Sequence, residues 1–218
     1  MLNDAYNGEG VQNNGPIIQG MLGYNPDGPM YEYDLDKCAE ELEQAWDGQL
    51  PETGFRFGIL FNTGNEARQT AAQILQANLA SINELYQVDV VGVPWPTYLR
   101  SFRTGQIPVA ISGWQEDIHD PHNWVVPFTF GTYGGRQQMP DELKEKYEAY
   151  ALDGVSKADP AEREAVYFEM QQDFYDDMLS VPLHQVAGAR YEQRFLDGFV
   201  YRVGLSSGYP SFYSMSQE

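Results

Sequence analysis

Residues 55–113 read FRFGILFNTGNEARQTAAQILQANLASINELYQVDVVGVPWPTYLRSFRTGQIPVAISG, and the hydrophobic spacing of this stretch decides the fold. Phe55, Phe57, Ile59 and Phe61 alternate along the chain and share one face, the period-two pattern of a strand over 55–61. Thr63-Gly64-Asn65-Glu66 follows with capping-box spacing. Ala67, Ala71, Leu75, Leu79, Ile82 and Tyr86 then recur at helical spacing. VDVVGV at 88–93 is a second strand. Pro96 suits the first turn of a short helix, roughly 96–104, that carries Tyr98, Leu99 and Phe102. IPVAISG at 107–113 is a third strand. Strand, helix, strand, helix, strand with two right-handed crossovers predicts an α/β fold, a mostly parallel sheet flanked by helices. Ligands of such sheets sit beyond the carboxyl ends of the strands. Topology therefore singles out the segment leaving the third strand, Gly113-Trp114-Gln115-Glu116-Asp117-Ile118-His119-Asp120-Pro121.

Upstream, residues 1–33 are rich in Gly, Pro and Asn and read as an extended lead-in with turns. Asp34 is a good N-cap, and Leu35, Cys38, Leu42 and Trp46 mark a helical stripe up to Gly48. Cys38 lies on that stripe and reads as a packing residue. Downstream, residues 120–140 read as loop, and a short polar helix spans about 141–151. Asp159-Pro160-Ala161-Glu162 reads as N-cap, N1 proline and capping-box acid. Val166, Met170, Phe174 and Met178 form the buried stripe of the helix that follows. VPLHQVAGARY at 181–191 reads as strand, and the tail from about 195 has weak periodicity.

The chain has 218 residues, with 13 Lys and Arg against 32 Asp and Glu, for a net charge of −19. Phosphate backbones repel so acidic a chain, which excludes nucleic acid as a partner and disfavours anionic membrane surfaces. At 42% hydrophobic residues the sequence has enough apolar side chain for a packed core. No apolar run approaches the length of a membrane span. The single Cys38 forbids an internal disulfide and a Cys-based zinc site. MLNDAYNGEG lacks a basic n-region and an apolar h-region. The expectation is a cytoplasmic protein or, as the irregular first 33 residues favour, a piece of a longer chain.

Trp114–Asp117 carries the chemistry that best fits the predicted edge. A carboxylate beside an indole suits a ligand ammonium group, through a charge-assisted bond and an aromatic face. The competing reading is an acidic turn with a packed Trp. His119-Asp120-Pro121-His122 has metal-ligating residue types, but Pro121 prevents the regular helix that would face both imidazoles one way. Surface histidines are the simpler reading there, and a satisfied structural residue is the simpler reading of His184. Asp176-Asp177 opposes the dipole of the helix it ends, and no function attaches to it. No G-x-S-x-G, Walker A, G-x-G-x-x-G or H-E-x-x-H signature occurs, which argues against an enzyme.

Several segments, in order, resemble the family 5 extracellular solute-binding proteins, the peptide and dipeptide receptors of ABC importers. Tyr33-Asp34-Leu35-Asp36-Lys37-Cys38-Ala39 is similar to the family's YDP-x-KA helix start, and RQTAAQILQANL from Arg68 to its R-x-x-A-x-x-IQ-x-x-L helix. Trp95-Pro96-Thr97-Tyr98-Leu99 is similar to its EW-x-x-YL turn, with Pro94 in place of Glu. Gly113 to Pro121 is similar to GW-x-x-D-x-x-DP. REAVYFEMQ from Arg163, Val181-Pro182-Leu183 and Leu196-Asp197-Gly198-Phe199 follow in the family's order.

The resemblance implies a type II periplasmic-binding-protein lobe, the C-terminal half of a clamshell that closes on its solute and presents it to permease subunits. Residues 1–33 would be the lead-in, 34–185 the ligand-binding lobe, and 186–218 a return segment against an N-terminal lobe outside this chain. It implies an extracytoplasmic location, no cofactor, and a weakly binding half-cleft. In peptide-binding members the Asp of GW-x-x-D takes the ligand's α-ammonium. Here that is Asp117, with Trp114 on the same wall and Gln115 and Glu116 between them, the additional acid favouring a cationic ligand. The resemblance leaves a receptor for a metal chelate, sugar or other solute as a second reading. A carboxylate-based hydrolase is a third.

Overall fold

A computed structural model describes residues 8–186, 191–200 and 212–217. Two compact units divide the chain, one holding Tyr31–Gly113 and the other Gly10–Met30 together with the chain from Trp114 onward.

The first unit holds helices α1 (Leu35–Gln44) and α2 (Leu50–Thr53), strand β1 (Phe55–Asn62), helix α3 (Glu66–Ile82), strand β2 (Tyr86–Val93), helix α4 (Trp95–Arg103) and strand β3 (Val109–Ala110). The sheet order is β2-β1-β3 and every pairing is parallel, which is the α/β arrangement read from the sequence. β1 and β2 run in register from Phe55↔Tyr86 to Asn62↔Val93. β3 pairs only at Ile59↔Val109 and Leu60↔Ala110, so seven predicted strand residues become two. Pro108, just before it, has no amide to donate. The core packs Ile59, Tyr86 and Val88 of the sheet against Ala72 and Leu79 of α3 and Leu50 of α2. Cys38 and Leu42 of α1 pack on this cluster, as the α1 stripe predicts, and burial raises the Cys38 thiol's pKa.

The local details differ in instructive ways. α1 stops at Gln44 because Trp46 and Asp47 take left-handed backbone angles, φ 53° and 55°, and Trp46 is 66% exposed rather than on the stripe. The N-cap of α3 is Asn65, whose side chain accepts from the Arg68 amide, and not Thr63. The Thr63 amide instead donates to Val93, extending the β1–β2 ladder by one bond. Leu75 is exposed, and Tyr86 opens β2 instead of ending the helix.

In the second unit, residues 120–140 hold two short helices, α5 (His122–Phe128) and α6 (Thr132–Arg136), where the sequence reads as loop. α7 (Asp141–Ser156) runs five residues further than its polar pattern predicts, and α8 (Pro160–Asp176) begins at the predicted cap, Asp159 accepting from Ala161 and Glu162. Ile17 and Met21, from the predicted lead-in, are buried with Val125, Tyr147, Ala151, Tyr167, Met170 and Phe174. Burying side chains of this size contributes about 1.5–3 kcal/mol each. Met170 and Phe174 confirm part of the α8 stripe, while Met178 lies beyond the helix and is 61% exposed. Tyr167 is admitted by two glycines: a Cβ at Gly154 or at Gly23 would lie 2.7 Å from its ring. The predicted 181–191 strand reduces to one antiparallel bridge, Val11↔Gln185, and residues 187–190 of it lie outside the described residues. Short strands β4 (Leu196–Asp197) and β5 (Ser216–Gln217) pair antiparallel. Among the described residues no helix is long and apolar enough to cross a membrane.

Candidate functional site

The second unit resumes at Trp114, and residues 114–121 form a loop pinned on aromatic rings. The Asp120-Pro121 step starts α5: Asp120 Oδ1 accepts the His122 amide at 2.9 Å, an Asx turn that feeds the first helical turn. That turn projects Asn123 back at the loop. Asn123 Oδ1 accepts two bonds, from the Trp114 indole N–H and from the Asp117 amide, both at 3.1 Å. A single oxygen thus fixes the ring and the backbone of two residues that the sequence placed together. The indole of Trp114 meets Tyr133 of α6 edge to face, with centroids 6.1 Å apart at 87°. Tyr133 in turn contacts Phe128, and Phe128 stacks parallel to Trp124. These rings come from α5 and α6, so the helices absent from the sequence reading are the ones that hold the loop.

Three acids lie within five residues and have different fates. Glu116 is committed on both oxygens: Oε1 pairs with His119 Nδ1 at 2.8 Å and Oε2 accepts the Trp124 indole N–H at 2.9 Å. Asp120 is clasped by Arg163 of α8, whose Nη1 and Nη2 donate at 2.8 and 2.7 Å. Burial alone would raise the Asp120 pKa, but the Arg163 hydrogen bonds, the His122 amide and the positive charge outweigh it and hold the carboxyl below its usual range. Asp117 differs from both. Its side chain is exposed, and among the described residues its carboxylate has no hydrogen-bond or ion-pair partner. Gln115 is exposed beside it, and Trp114 is half-buried.

The His119–His122 segment forms no metal centre of its own: His119 is turned to Glu116, and His122 enters α5. Among the described residues no group of three or more His, Cys, Asp or Glu side chains is placed to hold a metal ion. His184 is partly buried, and burial lowers its pKa. Asp177, left without a role by the sequence, accepts from Lys146 and Tyr147 at 2.8 Å and braces α7 on α8. Sequence reasoning missed Asn123. Its signal was an amide side chain two residues after Asp-Pro, inside the first turn of a helix.

Residues 1–136 match the family model described as bacterial extracellular solute-binding proteins, family 5 middle. The chain belongs to this family. Similar proteins include heme-binding protein A of Haemophilus influenzae, 24% identical over 99% of this chain and 39% of its own length. Di/tripeptide-binding protein 4 of Pseudomonas aeruginosa is 28% identical over 78% of this chain and 31% of its own. This family 5 chain thus spans less than two fifths of the length of these relatives. Among solved structures, the periplasmic binding protein DppA from Helicobacter pylori in complex with peptide STSA superposes with TM-score 0.74 at 24% identity, over 100% of this chain and 41% of that one. A dipeptide-binding protein from Pseudoalteromonas sp. SM9913 in complex with Met-Leu gives 0.79 at 17%, over 100% and 42%. At such identities these likenesses establish the fold, the type II periplasmic-binding-protein architecture that the sequence motifs imply.

Proposed function

We propose that this chain supplies one lobe of an extracytoplasmic receptor for an ABC importer, and that Asp117 holds the positive end of the solute, with Trp114 and Gln115 beside it. The observation that carries this reading is the contrast among three neighbouring acids. Glu116 and Asp120 are spent on their own fold, while the Asp117 carboxylate faces solvent on a loop whose backbone is fixed by Asn123. A carboxylate held ready in this way forms a charge-assisted bond with an ammonium group without reorganising first.

The solute class we favour is a peptide with a free amino terminus. The relatives' names range from heme to di- and tripeptides, so family membership alone does not choose. The exposed acid favours a cationic end. Binding involves no bond-making: affinity comes from the ion pair, the aromatic wall and closure against a second lobe, which hands the solute to permease subunits. Glu116 acts indirectly, by bracing His119 and Trp124 under the loop. The test is calorimetry on the complete receptor with a small peptide panel. Asp117→Asn and amino-terminal acetylation of the peptide should each weaken binding about tenfold or more, and the two losses should not add. Unchanged affinity in both cases would exclude Asp117 as the ligand's partner.

A further inference from the structure

The sequence holds two Asn-Gly steps, Asn7-Gly8 and Asn14-Gly15, and the second is buried in the second unit. An Asn-Gly step is prone to deamidation, because glycine has no Cβ to hinder its own amide nitrogen. That nitrogen attacks the asparagine Cγ, and the new C–N bond closes a succinimide ring. The amide proton leaves with the side-chain NH2 as ammonia. Water then opens the ring at either carbonyl and leaves an aspartate or an isoaspartate.

The fold opposes each part of this reaction at position 14. Asn14 is 5% exposed. Its Nδ2 donates to the Asn25 carbonyl at 2.7 Å and more loosely to the Gly28 carbonyl at 3.5 Å, which holds the leaving nitrogen in place. Two carbonyl acceptors also fix which end of the amide is the nitrogen. The Asn14 Oδ1 is buried with no hydrogen-bond partner among the described residues. Attack at Cγ would drive negative charge onto that oxygen, and no donor stands there to stabilise it. Gly15 abuts the Gln171 side chain of α8, whose Oε1 would lie 3.0 Å from a Cβ on Gly15. Gln171 is itself tied through Nε2 to the Gly23 and Tyr167 carbonyls. Ile17, two residues beyond Gly15, is fully buried in the core. Swinging the Gly15 nitrogen onto Asn14 therefore requires lifting this segment off α8.

We infer that Asn14-Gly15 is a deamidation site gated by folding, protected in the native chain and reactive once the segment opens. The product does not regain the native contacts. An aspartate at position 14 presents an oxygen to the Asn25 carbonyl where Nδ2 donated, and it buries a charge beside carbonyl oxygens. An opening long enough for reaction thus marks the chain covalently and leaves it less stable. The inference is independent of the solute-binding reading and rests on contacts within the second unit alone.

The test incubates the 218-residue chain in mildly alkaline buffer, folded and in guanidinium chloride, and reads the Asn14 and Asn7 peptides separately by mass spectrometry. Asn14 should convert at least about tenfold more slowly in the folded chain, since reaction there must await local opening. Gly28→Ala places a methyl 3.1 Å from the Asn14 Nδ2, and Gln171→Ala removes the side chain against Gly15. Each should speed conversion of the folded chain several-fold and leave the rate in guanidinium unchanged, because neither position neighbours Asn14 along the sequence. Asn14→Asp should unfold at a lower denaturant concentration than wild type. Equal wild-type rates in the folded and unfolded chain, folded variants at positions 28 and 171 that both convert at the wild-type rate, or an Asn14→Asp chain as stable as wild type would overturn the inference.

Discussion

Arg163 clasps Asp120 through two hydrogen bonds of 2.8 and 2.7 Å, and a third bond from Arg163 Nε to the Gly154 carbonyl ties the pair to α7. The ion pair fastens the end of the candidate binding loop to α8. The arginine is thus spent on the acid that closes the loop, and the acid three residues earlier keeps its charge facing solvent.

Breaking that clasp should cost stability before it costs binding. Asp120→Ala removes one partner and leaves Arg163 half-buried without its carboxylate. We predict a loss of about 1–3 kcal/mol, below the value for a fully buried pair because a third of the Asp120 side chain still meets water. Urea unfolding of wild type and variant measures it, and a change under about 0.5 kcal/mol would contradict the role given to the pair.

Acid should weaken the fold through the same residues. The folded-state pKa values of Asp120 and Asp177 both lie below the ordinary carboxyl value. Their contribution is therefore complete above about pH 4, the unfolded carboxyl range, and is lost as pH falls through the lower folded values. Thermal melts between about pH 2 and pH 7 should show stability falling in the acid limb. Asp120→Asn should flatten that limb, and parallel wild-type and variant curves would count against the linkage.

Asn123 should behave as a positioning residue. Asn123→Leu removes the acceptor shared by the Trp114 indole and the Asp117 amide. We expect about 1–2 kcal/mol of destabilisation and weaker solute binding by the complete receptor. Asn123→Asp retains an acceptor oxygen and should restore the Trp114 fluorescence environment. A variant that binds as wild type while lacking both bonds would exclude a positioning role for Asn123.

Gly154→Ala should destabilise, opposite in sign to the usual helical glycine-to-alanine exchange, which gains up to about 1 kcal/mol. The new methyl would approach Tyr167 to 2.7 Å inside the core, and overpacking of this kind costs about 1–3 kcal/mol. Denaturant midpoints decide the sign.

Asp117→Ala, by contrast, should leave stability within about 0.5 kcal/mol of wild type, since the side chain is exposed and holds nothing in the fold. A melting temperature that drops markedly would mean that the carboxylate serves the structure.

Local rules were legible wherever one segment decides its own structure. Asp34 and Asp159 cap their helices as read, because an N-cap bonds amides two or three residues on. The capping-box spacing selects Thr63, whereas the cap is Asn65, two residues on. The choice falls to Asn65 because the Thr63 amide is drawn into the β1–β2 ladder by Val93, thirty residues away in sequence. The loop reading of 120–140 failed for a related reason. Its helices are short, interrupted by Pro127 and several glycines, and are held by packing rather than by propensity.

The amino-acid sequence by itself determined the parallel α/β order and the family, because apolar periodicity and motif order are written along the chain. Only the tertiary structure decided which acid of Glu116, Asp117 and Asp120 stays available. The groups that occupy the other two, Trp124 and Arg163, come from other elements, Arg163 from 43 residues beyond Asp120. A carboxylate's freedom depends on what folds against it, and folding alone brings those partners within hydrogen-bond reach.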